Sequence, residues 1–250
     1  LTRNIMKNNI IEIKELKKTY LNGVEALRGI NINIAKGKFF GLLGPNGAGK
    51  TTTIGILTGL INLTSGSISV NGFDVLKDYK KTRRMIGLSP QEINLDVFFT
   101  IKELLIFQGG YFGLSKIEST KRVKKLLSDL GLQDKADSKA RELSGGMKKR
   151  VGIARAIALN PEYMLYDEPT TGLDPIMTDS INRLINNFHE KGKVTSIVVT
   201  HEMKTVRDVS DRVLMLHNGK IQFNGSTEDL FSSRDPIVMA FLNGDSTYEG

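Results

Sequence analysis

The stretch Gly44-Pro45-Asn46-Gly47-Ala48-Gly49-Lys50-Thr51-Thr52 meets the spacing G-x-x-x-x-G-K-[ST] at every position. Gly44, Gly47 and Gly49 carry no Cβ, so the backbone can turn sharply and aim successive N–H groups at phosphate oxygens. Lys50 is placed to reach the outer phosphates, and the Thr51 hydroxyl to stand on Mg²⁺. A helix starting here adds partial positive charge where the phosphates sit. The chemistry predicted is binding of a nucleoside triphosphate.

Two other groups have chemistry-bearing spacing. Asp167 and Glu168 follow Tyr163-Met164-Leu165-Tyr166, which reads as a buried strand. A carboxylate at the edge of a core strand can hold Mg²⁺, and its neighbour can orient or deprotonate an attacking water. Alone, such a pair is most often a solvated loop pair; beside a phosphate loop it becomes specific. Leu143-Ser144-Gly145-Gly146-Met147 sets a capping serine and two glycines at a helix start, a second set of N–H groups for an anion. The plainer reading is an ordinary N-cap.

These groups need elements to position them. Phe39-Phe40-Gly41-Leu42-Leu43 reads as a buried parallel strand before the glycine loop, and Thr51 to Leu57 as a helix after it. Ile10 to Leu16 and Ala26 to Ile34 alternate as strands, and Ser67 to Val70 before Asn71-Gly72 joins them. Met85 to Leu88 reads as another core strand. Thr100 and Glu103 form a capping box, and Val123, Leu126, Leu127 and Leu130 keep helical spacing, so residues from about 92 to 143 read as a helical insertion. Val151, Ala154 and Ile157 mark the inner face of the helix capped by Ser144. Asp174-Pro175 supplies a cap and a first-turn proline for the next helix. Thr195 to Val199, ending at Thr200-His201, reads as a core strand, and residues 212–223 as a hairpin about His217-Asn218-Gly219. The pattern is α/β. The tail beyond Leu230 carries little signal.

The 250 residues, 40% hydrophobic and 25% charged, suit one large domain or two small ones. No apolar run approaches a membrane span, and the first residues lack the apolar core of a signal peptide; Met6 is a candidate start. The absence of cysteine excludes disulfides and thiolate metal sites and fits the cytoplasm. The net charge of +8 suits either a soluble lysine-rich surface or an anionic partner. Basic residues cluster at 77–84, 116–125 and 148–150 with Tyr79 as the one interleaved aromatic, too few for a stacking platform, which weakens single-strand nucleic-acid binding.

Taken together, the phosphate loop, the Ser144 segment and Asp167-Glu168 resemble the ATP-binding cassette (ABC) ATPases over roughly residues 8 to 232. That resemblance implies a P-loop NTPase (RecA-like) core with an N-terminal antiparallel β subdomain, an α-helical subdomain inserted at about 92–158, and a tail over 233–250. It implies ATP and Mg²⁺ as ligands. By the same resemblance Tyr20 stacks on adenine, and Gly44, Pro45, Asn46, Gly47, Ala48, Gly49, Lys50, Thr51 and Thr52 hold the phosphates. Gln91 touches metal and attacking water, Asp167 is the metal carboxylate, Glu168 the catalytic glutamate, and His201 the switch histidine on the γ-phosphate. Ser144, Gly145 and Gly146 form the signature segment and Asp174 the D-loop. Met147 stands where many members have Gln, which removes a polar side-chain contact.

The family works as a head-to-tail pair of cassettes with ATP between them. The implied partners are therefore a second copy and separate transmembrane permease subunits, docked beside Gln91, with no nucleic acid. The expected location is the cytoplasmic face of the membrane, peripherally. Residues 36–110 resemble ABC-2-type drug or polysaccharide exporters. Residues 141–175, 195–204 and 235–242 resemble the ATPase of Mla and Mce-linked lipid transporters. Export is the leading expectation and phospholipid traffic the second.

Overall fold

The computed structural model describes residues 9–245, so Met6 lies outside the described residues. Asn9–Thr19 (β1) and Glu25–Ala35 (β2) pair antiparallel, with Ile30, Ile32 and Ile34 buried and Asn31 and Asn33 exposed between them. Phe39–Leu43 (β3) is buried throughout and feeds Lys50–Leu57 (α1). Ser65–Val70 (β4) and Phe73–Asp74 (β5) meet across Asn71 and Gly72, both at positive φ, and complete a sheet of order β2-β1-β4-β5.

The chain then runs through Tyr79–Met85 (α2), Ile86–Ser89 (β6), Ile101–Tyr111 (α3), Lys116–Asp129 (α4) and Gly145–Ile157 (α5). Tyr163–Asp167 (β7), Pro175–Gly192 (α6), Thr195–Val199 (β8), Met203–Val209 (α7) and Arg212–His217 (β9) follow. Lys220–Ser226 (β10), Thr227–Phe231 (α8) and Pro236–Asn243 (α9) complete the described chain. The second sheet has order β10-β9-β3-β8-β7-β6, parallel except where β10 returns along β9. Its inner strands β3, β7 and β8 are near-continuous apolar runs, because parallel strands are covered on both faces.

Register decides where the chemistry gathers. Leu42 lies opposite Val199, Val199 opposite Asp167, and Tyr166 opposite Ser89. Four parallel strands thus end level. The segments that leave them, beginning at Gly44, Glu168, Thr200 and Pro90, emerge along one carboxyl edge of the sheet, the usual ligand edge of an open α/β sheet.

Helix α1 lies between the two sheets. Its Ile54, Ile56 and Leu57 pack with Leu16, Ile32 and Ile68 of the first sheet and Phe40, Leu42 and Ile197 of the second. Each such fully buried side chain contributes about 1.5–3 kcal/mol, so the glycine loop is anchored at both ends. On the opposite face, Val151 and Ile153 of α5 and Ile181 and Ile185 of α6 cover Met164 and Val198. The same cluster continues through Ile101 and Leu105 of α3 to Val123 and Leu127 of α4.

Three features go beyond the sequence reading. Most of the basic run 77–84 lies in α2, where Met85 closes the helix instead of opening β6, and Arg83 donates to the Gly59 carbonyl at 2.7 Å. A second capping box, Ser115 with Glu118, opens α4. Beyond Leu230, α9 is capped by Asp235 with Pro236 in its first turn, and buries Val238 against Leu43, Val213 and Met215.

Candidate nucleotide site

The glycine loop has a backbone that only glycine carries cheaply at Gly44, Gly47 and Gly49, all at positive φ, and two of these are also crowded. Gly44 sits at φ 142° with the Leu216 carbonyl oxygen against the place a Cβ would take. Gly49 sits at φ 104°, where a Cβ would lie 2.6 Å from the Ala26 carbonyl oxygen. Both obstacles are strand backbone and cannot yield. Lys50 is buried, and its Nζ donates to the carbonyls of Gly44 at 2.6 Å and Pro45 at 2.9 Å. Burial lowers its pKa, with Glu168 and Asp167 acting in the opposite sense. A phosphate oxygen is a stronger partner for this ammonium than a carbonyl, so the loop is set to exchange one for the other. Thr51 is exposed, while Thr52 is buried with its Oγ1 3.2 Å from the Tyr20 hydroxyl. That contact holds the Tyr20 ring beside the start of α1, with Lys18 Nζ 4.9 Å from the ring centroid.

The two carboxylates are treated very differently. Asp167 Oδ1 is buried with no hydrogen-bond partner. Its pKa is raised by burial and by Glu168, against the opposing pull of Lys50 and Lys149. Glu168 has every polar group engaged. Its N–H donates to the Val199 carbonyl at 2.8 Å, and its own carbonyl accepts from Lys149 Nζ at 3.0 Å. Oε1 is 2.9 Å from His201 Nδ1, and Oε2 accepts from Thr171 Oγ1 at 2.9 Å. These contacts hold it at φ 47°, a left-handed backbone that costs a non-glycine residue about 1–2 kcal/mol.

The donor set fits a magnesium ion. An orphaned carboxylate oxygen at Asp167 and an exposed hydroxyl at Thr51 are available, and among the described residues no group of three or more acidic, His or Cys side chains forms a self-sufficient cage. Mg²⁺ is commonly held by one or two protein oxygens, with substrate phosphates and water completing the shell. When bound, the ion would neutralise phosphate charge.

A stability prediction follows from the orphaned oxygen. A carboxylate whose folded pKa is raised binds protons more readily folded than unfolded, so its effect costs stability as pH rises through that pKa. Asp167→Asn is therefore expected to raise the melting temperature of nucleotide-free protein at pH 7 by roughly 2–4 °C, as about 1 kcal/mol would in a chain of this size. The figure is kept small because the carboxylate is only part-buried and its charge is screened. The gain should shrink as pH falls, and a drop in melting temperature at pH 7 would refute the assignment.

His201 and Gly44, Pro45 and Asn46 border a cavity of about 270 Å³ that Ile237 and Phe241 of α9 also line. His201 is thus placed between Glu168 and the glycine loop. Gln91 is exposed after β6, and its carbonyl accepts from Lys149 at 2.8 Å. Ser144 caps α5, accepting from the Met147 N–H at 3.3 Å; Ser144 and Gly145 are exposed, while Gly146 is buried against Met177. Asp174 caps α6 through one oxygen, which accepts from Ile176 and Met177 N–H at 2.9 Å each. The structure brings Tyr20, residues 44–52, Asp167, Glu168 and His201 to one edge. No hydrogen bond or ion pair among the described residues joins Ser144 or Gly146 to the glycine loop.

The family described as ABC transporter matches residues 27–171. The chain belongs to the ABC transporter family. It is 38% identical over 241 residues to a methionine import ATP-binding protein of Carboxydothermus hydrogenoformans, covering 94% of this chain and 72% of that one. It is 37% identical to the linearmycin resistance ATP-binding protein of Bacillus subtilis, covering 94% and 76%. Among solved structures, cbiO1 from Clostridium perfringens, part of the cbiONQ transporter complex, superposes with a TM-score of 0.83 at 30% identity, covering 94% of this chain and 96% of that one. A dimeric ATP-binding cassette in a post-hydrolysis state with ADP and Pi does so at 0.79 and 31% identity, covering 87% and 98%. The chain is accordingly an ATP-binding ATPase of this family, with its α/β P-loop fold.

Sequence reasoning missed two residues at the edge of this site and a third, Arg155, that lines a separate groove with Leu95 and Phe99. In the sequence Lys149 is only one member of a basic run, yet it is half-buried and bridges two backbone carbonyls. Thr171 fixes the Glu168 carboxylate, and its place three residues after that glutamate was the available signal. Arg155 on α5 has no hydrogen-bond or ion-pair partner among the described residues, and burial lowers its pKa.

Proposed function

We propose that two copies of this chain pack head to tail around two ATP molecules and drive a membrane permease from its cytoplasmic face, with export as the direction. The observation that carries the dimer is that the exposed Ser144 cap at the start of α5 makes no hydrogen bond to the glycine loop of its own chain among the described residues. In the pair, Ser144 and the N–H groups of Gly145 and Gly146 from one copy close over the outer phosphate held by Lys50 of the other. Tyr20 stacks on adenine, Thr51 and Asp167 hold Mg²⁺, and Asp174 lines the seam. Glu168 accepts a proton from the attacking water, Gln91 positions that water, and His201 contacts the γ-phosphate. The dimeric arrangement of the solved cassettes supports this reading.

The permease side rests on a groove that begins at Asn94 on the segment after Gln91, about 340 Å³ in volume and lined by Leu95, Phe99, Phe107, Tyr111 and Arg155. Phe98, Phe107 and Tyr111 are 80%, 53% and 87% exposed at or beside it, more apolar surface than solvent favours. An unpaired guanidinium among aromatics suits an amphipathic helix of the permease bearing one carboxylate. No helix among the described residues is long and apolar enough to cross a membrane, so on this reading a second protein supplies the spans. Co-elution with the permease in detergent should be lost with Arg155→Glu and kept with Arg155→Lys at matched melting temperature. Retention by both would remove the charge anchor.

Export draws on the linearmycin resistance relative and the ABC-2-like segment 36–110, whereas the methionine relatives favour import. ATP-driven accumulation in inside-out vesicles carrying cassette and permease would support export. Uptake by right-side-out vesicles would support import, and phospholipid transfer would revive the lipid reading.

A further inference from the structure

Glu168 is held at four points, and three of them come from residues of the core sheet's own edge: Val199, Thr171 and His201. The fourth comes from elsewhere. Lys149 stands on α5, one turn beyond the Ser144 cap, and its ammonium donates at once to the Glu168 carbonyl at 3.0 Å and the Gln91 carbonyl at 2.8 Å. One side chain therefore ties together the helix of the signature segment, the segment that leaves β6 beside the groove, and the backbone of the proposed catalytic base. The tie is partly shielded from water, since the lysine is half-buried and faces Glu168, Asp167 and Glu202. A charge-assisted hydrogen bond in such surroundings is stronger than a surface contact. It also falls on the one residue of the pair whose backbone is left-handed, where loss of a restraint lets the peptide relax.

We propose that Lys149 is a positioning residue for hydrolysis: it pins the Glu168 peptide so that the carboxylate faces the attacking water, and makes that aim depend on where α5 and Gln91 stand. Movement of α5 relative to the sheet, or of the Gln91 segment when a partner fills the neighbouring groove, pulls on the same ammonium. ATP binding needs no such tie, because residues 44–52 bind without it. The proposal rests on the role given to Glu168 above.

The test is a double-mutant cycle on the purified full chain with Mg-ATP, reading kcat and KM separately. Lys149→Met is expected to lower kcat about 10- to 100-fold with KM within about threefold, the pattern of an interaction that matters only in the transition state. Lys149→Arg, which keeps the charge and can bridge two carbonyls, should recover most of the rate. In a Glu168→Gln background, Lys149→Met should have little further effect, because the two act through one group. Matched melting curves show that each variant is folded; if Lys149→Met is not, Lys149→Gln is read instead. A wild-type kcat in the lysine variant, a rise in KM alone, or full additivity with Glu168→Gln would overturn the proposal. If Glu168→Gln by itself hydrolyses at the wild-type rate, the assignment of Glu168 fails instead, independently of Lys149.

Discussion

Glu168→Gln is expected to slow ATP hydrolysis by about 10²- to 10⁴-fold, equivalent to about 3–5 kcal/mol on the barrier. ATP affinity should be nearly unchanged. The amide keeps the volume of the side chain and can still meet Thr171 and His201, each 2.9 Å from a carboxylate oxygen in the wild type. What it cannot do is accept a proton from water. With hydrolysis blocked and binding intact, the ATP-closed dimer should accumulate and run at twice the monomer mass on sizing chromatography with Mg-ATP, but not with ADP. A rate equal to wild type would exclude Glu168 as the base. A slow variant that stays monomeric with ATP would instead place hydrolysis within one copy.

Much of this site was legible because its parts are local. The glycine loop, the Asp167-Glu168 pair and the Asp174-Pro175 helix cap depend on neighbours in sequence, and their elements formed where the apolar runs indicated. Alignment of those parts was not local. That Gly44, Glu168 and Thr200 leave the sheet side by side follows from the register of β3 on β8 and β8 on β7, which pairs Leu42 with Val199 and Val199 with Asp167. The helix α2 hid inside a run read as charge, since its stability comes from packing and from Arg83 on the Gly59 carbonyl rather than from a strong pattern. Lys149 hid for a related reason. A lysine aimed at carbonyls looks the same in a sequence as one aimed at water, and only the approach of Gln91 and Glu168 separates the two. The box Ser115-Glu118 is the opposite case: its spacing stood in the sequence and needed no tertiary information.

Ser144→Arg is expected to abolish turnover, by more than about 100-fold, while leaving ATP affinity of the separate monomer within about threefold. The serine lies at the exposed start of α5 and shares no hydrogen bond with the glycine loop of its own chain, so on the head-to-tail reading an arginine there should leave that chain's own ATP binding intact. Loss of the cap costs about 1 kcal/mol, too little to unfold the chain. The damage should appear when the bulky cation meets the loop of the other copy and keeps the seam from closing. A mixing experiment separates this from a local defect. Lys50→Ala spoils the loop and spares the signature, whereas Ser144→Arg spoils the signature and spares the loop. A mixed dimer has one spoiled site twice over and one site built from two sound halves. Equal amounts of two inactive proteins should thus regain activity, up to about a quarter of wild type if half the dimers are mixed and each has one working site. Residues acting within a single copy could give no such recovery, and loss of ATP binding by the Ser144→Arg monomer would likewise return the serine to its own chain's site.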